Sequence, residues 1–169
     1  KTVYVDPANG FTCALDSESG KRKWCGSGEH IIPFLLGISE EKNMLVTTGK
    51  GRAFTSLDLS DGSNNWTTTV DQTVTAAGMS AGGTTVGGTV GGYAYQVDPA
   101  GNFDWVREYG GMGHNAVEVT SDGSYSLFGG PNPTLFDNQG NVLWQREPDK
   151  QIEMIGVNEI NTGAAYDVW

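Results

Sequence analysis

The chain of 169 residues carries 20 Asp and Glu against 10 Lys and Arg, a net charge of -10, with 25 Gly and only 2 Cys. That balance excludes a nucleic-acid binder or a protein of anionic bilayers, because each phosphate contact needs a cation the sequence mostly lacks. A composition of 37% apolar and 10% aromatic residues excludes a disordered chain, and the length suits one folded domain, 1–169, with its own core.

In chain order, Thr2 to Val5 reads as a strand that runs into the turn Asp6-Pro7-Ala8-Asn9-Gly10. No basic segment followed by an apolar one precedes it, so an exported protein would be represented here in its mature form. A first hairpin is expected around 11–26, with Cys13 and Cys25 nearly opposite each other across it. Both a cross-strand disulfide and two buried thiols fit that placement, and the disulfide would agree with an oxidising compartment. The longest apolar stretches, Ile31-Ile32 and Phe34-Leu35-Leu36 about Pro33, fall far short of the roughly 20 residues that span a bilayer. A second hairpin is expected around 53–69 and contains the glycosylation triplet Asn65-Trp66-Thr67.

Gly78-Met79-Ser80-Ala81-Gly82 matches the Gly-x-Ser-x-Gly nucleophile elbow in letters alone. An elbow needs a helix after its serine, and the glycine-rich run from Gly83 cannot supply one, so the segment reads as a turn between closely packed strands. A third hairpin is expected around 93–108. The loop that follows holds His114, which either faces a ligand or bonds to water; the other histidine is His30, and no His/Cys grouping has zinc spacing. Alternating residues 115–120 and 124–128 predict two strands joined by Ser121-Asp122-Gly123. They precede a fourth hairpin around 132–147, and residues 151–157 and 163–169 read as the first two strands of a further unit.

Trp24, Trp66, Trp105 and Trp144 recur at intervals of 42, 39 and 39 residues. Each follows an Asp by seven or eight positions (Asp16, Asp58, Asp98, Asp137) and a Gly by four (Gly20, Gly62, Gly101, Gly140). The physical content is a hairpin: a strand ends at the Asp, whose carboxylate caps the turn through downstream N–H groups. The Gly supplies positive φ, and the Trp opens the return strand. A carboxylate repeated in every unit serves structure, since catalysis needs one or two. With two strands ahead of each hairpin, the unit has four strands.

This pattern resembles the pyrroloquinoline-quinone-type β-propeller repeat, found in quinoprotein alcohol dehydrogenases, the outer-membrane-assembly propeller lipoprotein and arylsulfotransferase-like propellers. The resemblance covers residues 2 to about 150 and implies that each Trp packs between neighbouring blades, which also suits its large apolar area and single N–H. The expected fold is all-β and β-propeller-like, about four four-stranded antiparallel blades with incomplete terminal blades. The quinone enzymes of this family would imply an eight-blade ring, calcium ligands and adjacent cysteines, none of which the sequence offers, so no cofactor and no metal site are expected.

A non-enzymatic role is preferred: an extracellular or cell-surface structural or adhesive subunit, partnered by itself or by another surface protein, assembling through its terminal strands. One alternative is a quinoprotein-like enzyme or ligand-binding propeller, whose melting temperature quinone and calcium would raise by mass action. Another is a peptide- or glycan-binding scaffold whose concave face presents Tyr93, Tyr95, Tyr109 and Trp169, with His114 a separate candidate ligand contact.

Overall fold

The computed structural model describes residues 1–5, 11–27, 33–49, 51–108, 116–130, 132–146, 157–160 and 165–168. All regular elements among them are strands. In chain order these are β1 (Thr2–Val5), β2 (Phe11–Asp16), β3 (Arg22–Ser27), β4 (Pro33–Ser39), β5 (Met44–Gly49), β6 (Ala53–Asp58), β7 (Asn64–Thr69), β8 (Val74–Met79) and β9 (Thr85–Thr89). They continue as β10 (Tyr93–Val97), β11 (Phe103–Glu108), β12 (Val117–Val119), β13 (Tyr125–Phe128), β14 (Thr134–Asp137), β15 (Val142–Gln145), β16 (Val157–Ile160) and β17 (Ala165–Val168). Residues 151–156, where a strand was expected to begin, lie outside the described residues, as do 163, 164 and 169.

The chain is all-β, with sheets that meander between adjacent antiparallel strands. Three four-stranded sheets, β4-β5-β6-β7, β8-β9-β10-β11 and β12-β13-β14-β15, follow a three-stranded sheet β1-β2-β3 and precede a two-stranded one, β16-β17. These sheets are propeller-like blades, and no closed ring is formed among the described residues. Strands β4 and β8 lie against each other, as do β8 and β12, so the first strands of successive four-stranded sheets are neighbours. Gly37 and Gly78 make that approach possible. A Cβ on Gly37 would lie 2.6 Å from Met79 Cβ, and one on Gly78 would lie 3.4 Å from the Val117 carbonyl oxygen.

The core sits between sheets. Met44, Val46 and Phe54 of the second sheet join Val74, Tyr95 and Val97 of the third in one buried cluster. Ala76, Val86, Ala94 and Trp105 of the third join Val117, Val119, Phe128 and Phe136 of the fourth in another. The inner strands β6, β9 and β10 are buried on both faces, and alternation sends successive residues to opposite neighbours, Tyr95 and Val97 into the first cluster and Ala94 into the second.

Every Asp-to-Trp hairpin carries the same irregularity. Register shifts fall between Ala14 and Leu15, Ser56 and Leu57, Gln96 and Val97, and Leu135 and Phe136. The turn glycines follow at φ of 66° for Gly20, 76° for Gly62, 89° for Gly101 and 75° for Gly140. A tight turn closed by a left-handed residue produces such a bulge. In the first hairpin Cys13 stands directly opposite Cys25, and the two form a disulfide with a Cα–Cα distance of 4.1 Å. Among the described residues no helix is long and apolar enough to cross a membrane.

Candidate functional site

The repeated residues meet where one sheet abuts the next. Within each hairpin the Asp carboxylate organises the turn: Asp98 Oδ1 accepts the Ala100 N–H at 2.9 Å and the Asn102 N–H at 2.8 Å, and its Oδ2 accepts from Asn102 Nδ2 at 3.0 Å. Asp137 repeats the arrangement with Gln139 and Asn141. In the longer turns Asp16 Oδ1 accepts from the Ser19 N–H at 2.9 Å, and Asp58 Oδ1 accepts from the Ser60 N–H at 2.7 Å and from the Ser60 hydroxyl.

Donors aimed at a carboxylate favour its charged form. Asp137 is accordingly held below the usual carboxylate range, chiefly by the Asn141 side chain. Asp16 is lowered first by the Ser19 N–H and Asp58 first by the Ser60 hydroxyl. At Asp98, burial is the largest single effect and opposes ionisation, yet the Asn102 side chain and the turn N–H groups together outweigh it.

The conformation that each turn Gly adopts leaves its Cα bare, and the Trp of the preceding sheet occupies that space. A Cβ on Gly62 would lie 2.9 Å from Trp24 Cδ2, one on Gly101 2.7 Å from Trp66 Cγ, and one on Gly140 2.7 Å from Trp105 Cγ. The indole N–H then reaches the residue after the turn Asp: Trp24 Nε1 donates to the Leu59 carbonyl at 3.0 Å and Trp66 Nε1 to the Pro99 carbonyl at 3.0 Å. A third contact comes from the residue two positions after each Trp. The Gly26 backbone closes on the Gly62 carbonyl, the Thr68 hydroxyl donates to the Gly101 carbonyl, and Arg107 Nε donates to the Gly140 carbonyl at 2.9 Å.

Trp105 departs from this pattern in one respect. It is only 5% exposed, and its Nε1 has no hydrogen-bond partner among the described residues. The equivalent acceptor, the Asn138 carbonyl, receives Gln96 Nε2 at 3.3 Å instead. The ring itself is well held, 5.3 Å from Phe136 and 6.3 Å from Phe128 between centroids.

Among the described residues, Trp144 on β15 and Gly20 in the first hairpin are the two members of the repeat without such a neighbour. Trp144 is half-buried, and nothing described lies within 4 Å of where a Gly20 Cβ would be.

The remaining candidates are scattered. Tyr95 is 3% exposed inside the cluster shared by the second and third sheets, with Tyr93 packed against that cluster and their ring centroids 6.3 Å apart. Burial raises the Tyr95 hydroxyl above its ordinary pKa, with the Asp71 charge adding to the effect. His114, Tyr109, His30 and Trp169 lie outside the described residues. Ser80 is 2% exposed, and its hydroxyl accepts the Thr84 N–H at 3.1 Å at the turn between β8 and β9, which is the work of a turn cap. The cavity between Val46, Phe54, Gly78 and Met79 measures about 10 Å³, no more than a single water. A half-open depression of about 320 Å³ lies beside the disulfide, lined by Phe11, Cys13, Arg22 and Cys25. Among the described residues no three His, Cys, Asp or Glu side chains cluster as a metal site would require.

The repeated Asp, Gly and Trp positions were found by their spacing. The accessory seam residues Thr68, Gln96 and Arg107 carried no sequence signal beyond their fixed offset from a Trp or an Asp. No protein-family model matches the chain, and no curated protein matches it either.

Proposed function

We propose that this chain is an extracellular or cell-surface structural subunit, built from propeller-type repeats of the pyrroloquinoline-quinone kind, that associates with further copies through its terminal sheets. One observation carries this reading. Successive sheets are joined by one repeated seam, in which the Trp of a sheet covers the turn Gly of the next, so further sheets can be added by the same contacts. Strands pair across molecules through main-chain hydrogen bonds and need no special side chain to do so.

Two further features support the reading. The Cys13–Cys25 disulfide is compatible with an extracellular protein. The recurring Asp and Gly residues are engaged in turns, and Trp24, Trp66 and Trp105 in the seams between sheets, which is how a structural module uses its repeated side chains. Light scattering after size-exclusion chromatography, with negative-stain imaging over a range of concentrations, tests the proposal. Growth from single copies to rings or filaments is expected. A particle that stays a single copy at the highest concentration overturns it.

A further inference from the structure

The Asp-to-Trp hairpins share a position that the ladder passes over. Ser56 pairs with Trp66 and Leu57 with Asn64, so Asn65 faces no residue of β6. Lys23, Asp104 and Leu143 are passed over in the same way in the other three hairpins, each one place before its Trp. All four are exposed. The extra residue of a bulge is left out of the pairing, so its side chain can change in size and charge without disturbing the strands on either side. The chain uses that freedom, with a cation, an amide, a carboxylate and an alkyl group at the four places.

Of these four residues, Asn65 opens the triplet Asn-Trp-Thr. Thr67, two places on, is also exposed, and Trp66 between them is half-buried. Asn65 Nδ2 donates to Ser56 Oγ at 3.3 Å, and the Thr67 hydroxyl accepts from Asn64 Nδ2 at 3.1 Å. Strand β7 forms the outer edge of the second sheet, and none of its residues is charged. The outer strands β3 and β11 carry Arg22 and Lys23, and Asp104, Arg107 and Glu108. Charge is one device that keeps an exposed edge from pairing with another chain, and covering the edge is another.

We infer that Asn65 is an N-glycosylation site and that its glycan covers the outer edge of the second sheet. The donor is an oligosaccharide carried on a polyisoprenoid diphosphate. Asn65 Nδ2 attacks the anomeric carbon, and a C–N bond forms as the C–O bond to the diphosphate breaks. The diphosphate leaves with the electron pair, and Nδ2 gives up one of its two protons. The substituted amide keeps its other N–H, which is all that the bond to Ser56 Oγ requires, so glycan and hairpin coexist. An exposed, unpaired position suits a substituent that is bulky and solubilising. The inference rests on the extracellular placement proposed above and adds that association avoids this edge.

The full chain behind a secretion signal tests the site in two settings. Translation with microsomal membranes, which reads the modification without requiring a folded product, should give a slower-migrating band that an N-glycan amidase reverses. Asn65→Gln and Thr67→Ala should each abolish the shift, whereas Trp66→Phe keeps the triplet and should keep the shift. Secreted from eukaryotic cells, the chain should carry its glycan on Asn65 by tandem mass spectrometry and retain the Cys13–Cys25 disulfide. Asn65→Gln from the same cells should aggregate several-fold faster than the glycosylated parent, followed by turbidity. Bare Asn65 in both settings overturns the site and leaves the extracellular structural role standing. Equal turbidity overturns the covering of the edge. A glycosylated chain that stays a single copy at every concentration supports the site and overturns the self-assembly instead.

Discussion

Trp66 and Trp105 occupy equivalent places 39 residues apart, on the outer strands of the second and third sheets, and both cover a turn glycine of the next sheet. Their polar ends differ. Trp66 is half-buried and its N–H is bonded to the Pro99 carbonyl at 3.0 Å. Trp105 sits in an aromatic cluster with Phe128 and Phe136, its N–H without a described partner, while Gln96 bonds the matching carbonyl and also Asp104 at 3.1 Å. The position of the ring and the satisfaction of its nitrogen are therefore separable. The left-handed turn glycine sets the first, and the residue two places before the Asp on the inner hairpin strand, Ser56 or Gln96, bears on the second. The third seam compensates through Arg107, which donates to the Gly140 and Gln139 carbonyls at 2.9 and 3.2 Å.

The largest contrast should come from removing the rings. Trp105→Ala is expected to cost about 3–5 kcal/mol, the range for a buried aromatic, and Trp66→Ala about half of that, measured by urea unfolding. Equal losses would mean that the aromatic cluster adds nothing beyond the seam. Blocking the glycines comes next. Gly101→Ala and Gly140→Ala each put a Cβ into a ring and strain a left-handed backbone, for a loss of roughly 2 kcal/mol or more in either seam. A cost near zero at one site would show that its ring swings away freely.

Trp→Phe substitutions sharpen the comparison further. Phe keeps most of the ring and drops the N–H, so Trp66→Phe loses a satisfied hydrogen bond while Trp105→Phe sheds an unsatisfied donor. The difference between the two sites should shrink to within about 1 kcal/mol. If Trp105→Phe remains far the more costly, its N–H must be bonded in solution.

The smallest expected effect is that of pH, and it should touch both seams alike. Asp98 and Asp137 have folded pKa values below those of the unfolded chain. Their contribution is complete above the ordinary carboxylate range and is lost as pH falls through the lowered folded values, below about pH 4. Glu118 runs the other way. Burial raises its pKa, so its charge costs stability as pH rises through the ordinary range toward the raised value. Carboxylate titrations by NMR should place Glu118 above both aspartates; the reverse order would break the turn-capping account.

Turn chemistry was legible because it is local. An Asp, a Gly and a Trp within nine residues encode a capped, bulged hairpin whatever surrounds them, and four such units appear in the letters. The partner of each Trp is another matter. The carbonyls of Leu59 and Pro99 lie 35 and 33 residues from the indoles they receive, and no local pattern distinguishes them from other carbonyls. The diversion at Gln96 depends on three elements meeting. Cysteine spacing permitted both a disulfide and two thiols, and only the strand register, with Cys13 facing Cys25, decides between them. Tyr93 and Tyr95 read equally well as a binding surface or as packing, because alternation identifies a face without saying what covers it. Tyr95 lies in the core cluster.

The arrangement of the seams in series has a thermodynamic consequence. Sheets that couple chiefly to their immediate neighbours store stability as a sum of links, as in a one-dimensional lattice. A lesion at Gly101 would then divide the molecule into two blocks that melt separately, with amide exchange accelerated in the strands flanking the broken link. The Phe128 and Phe136 amides beyond the next link would keep their protection.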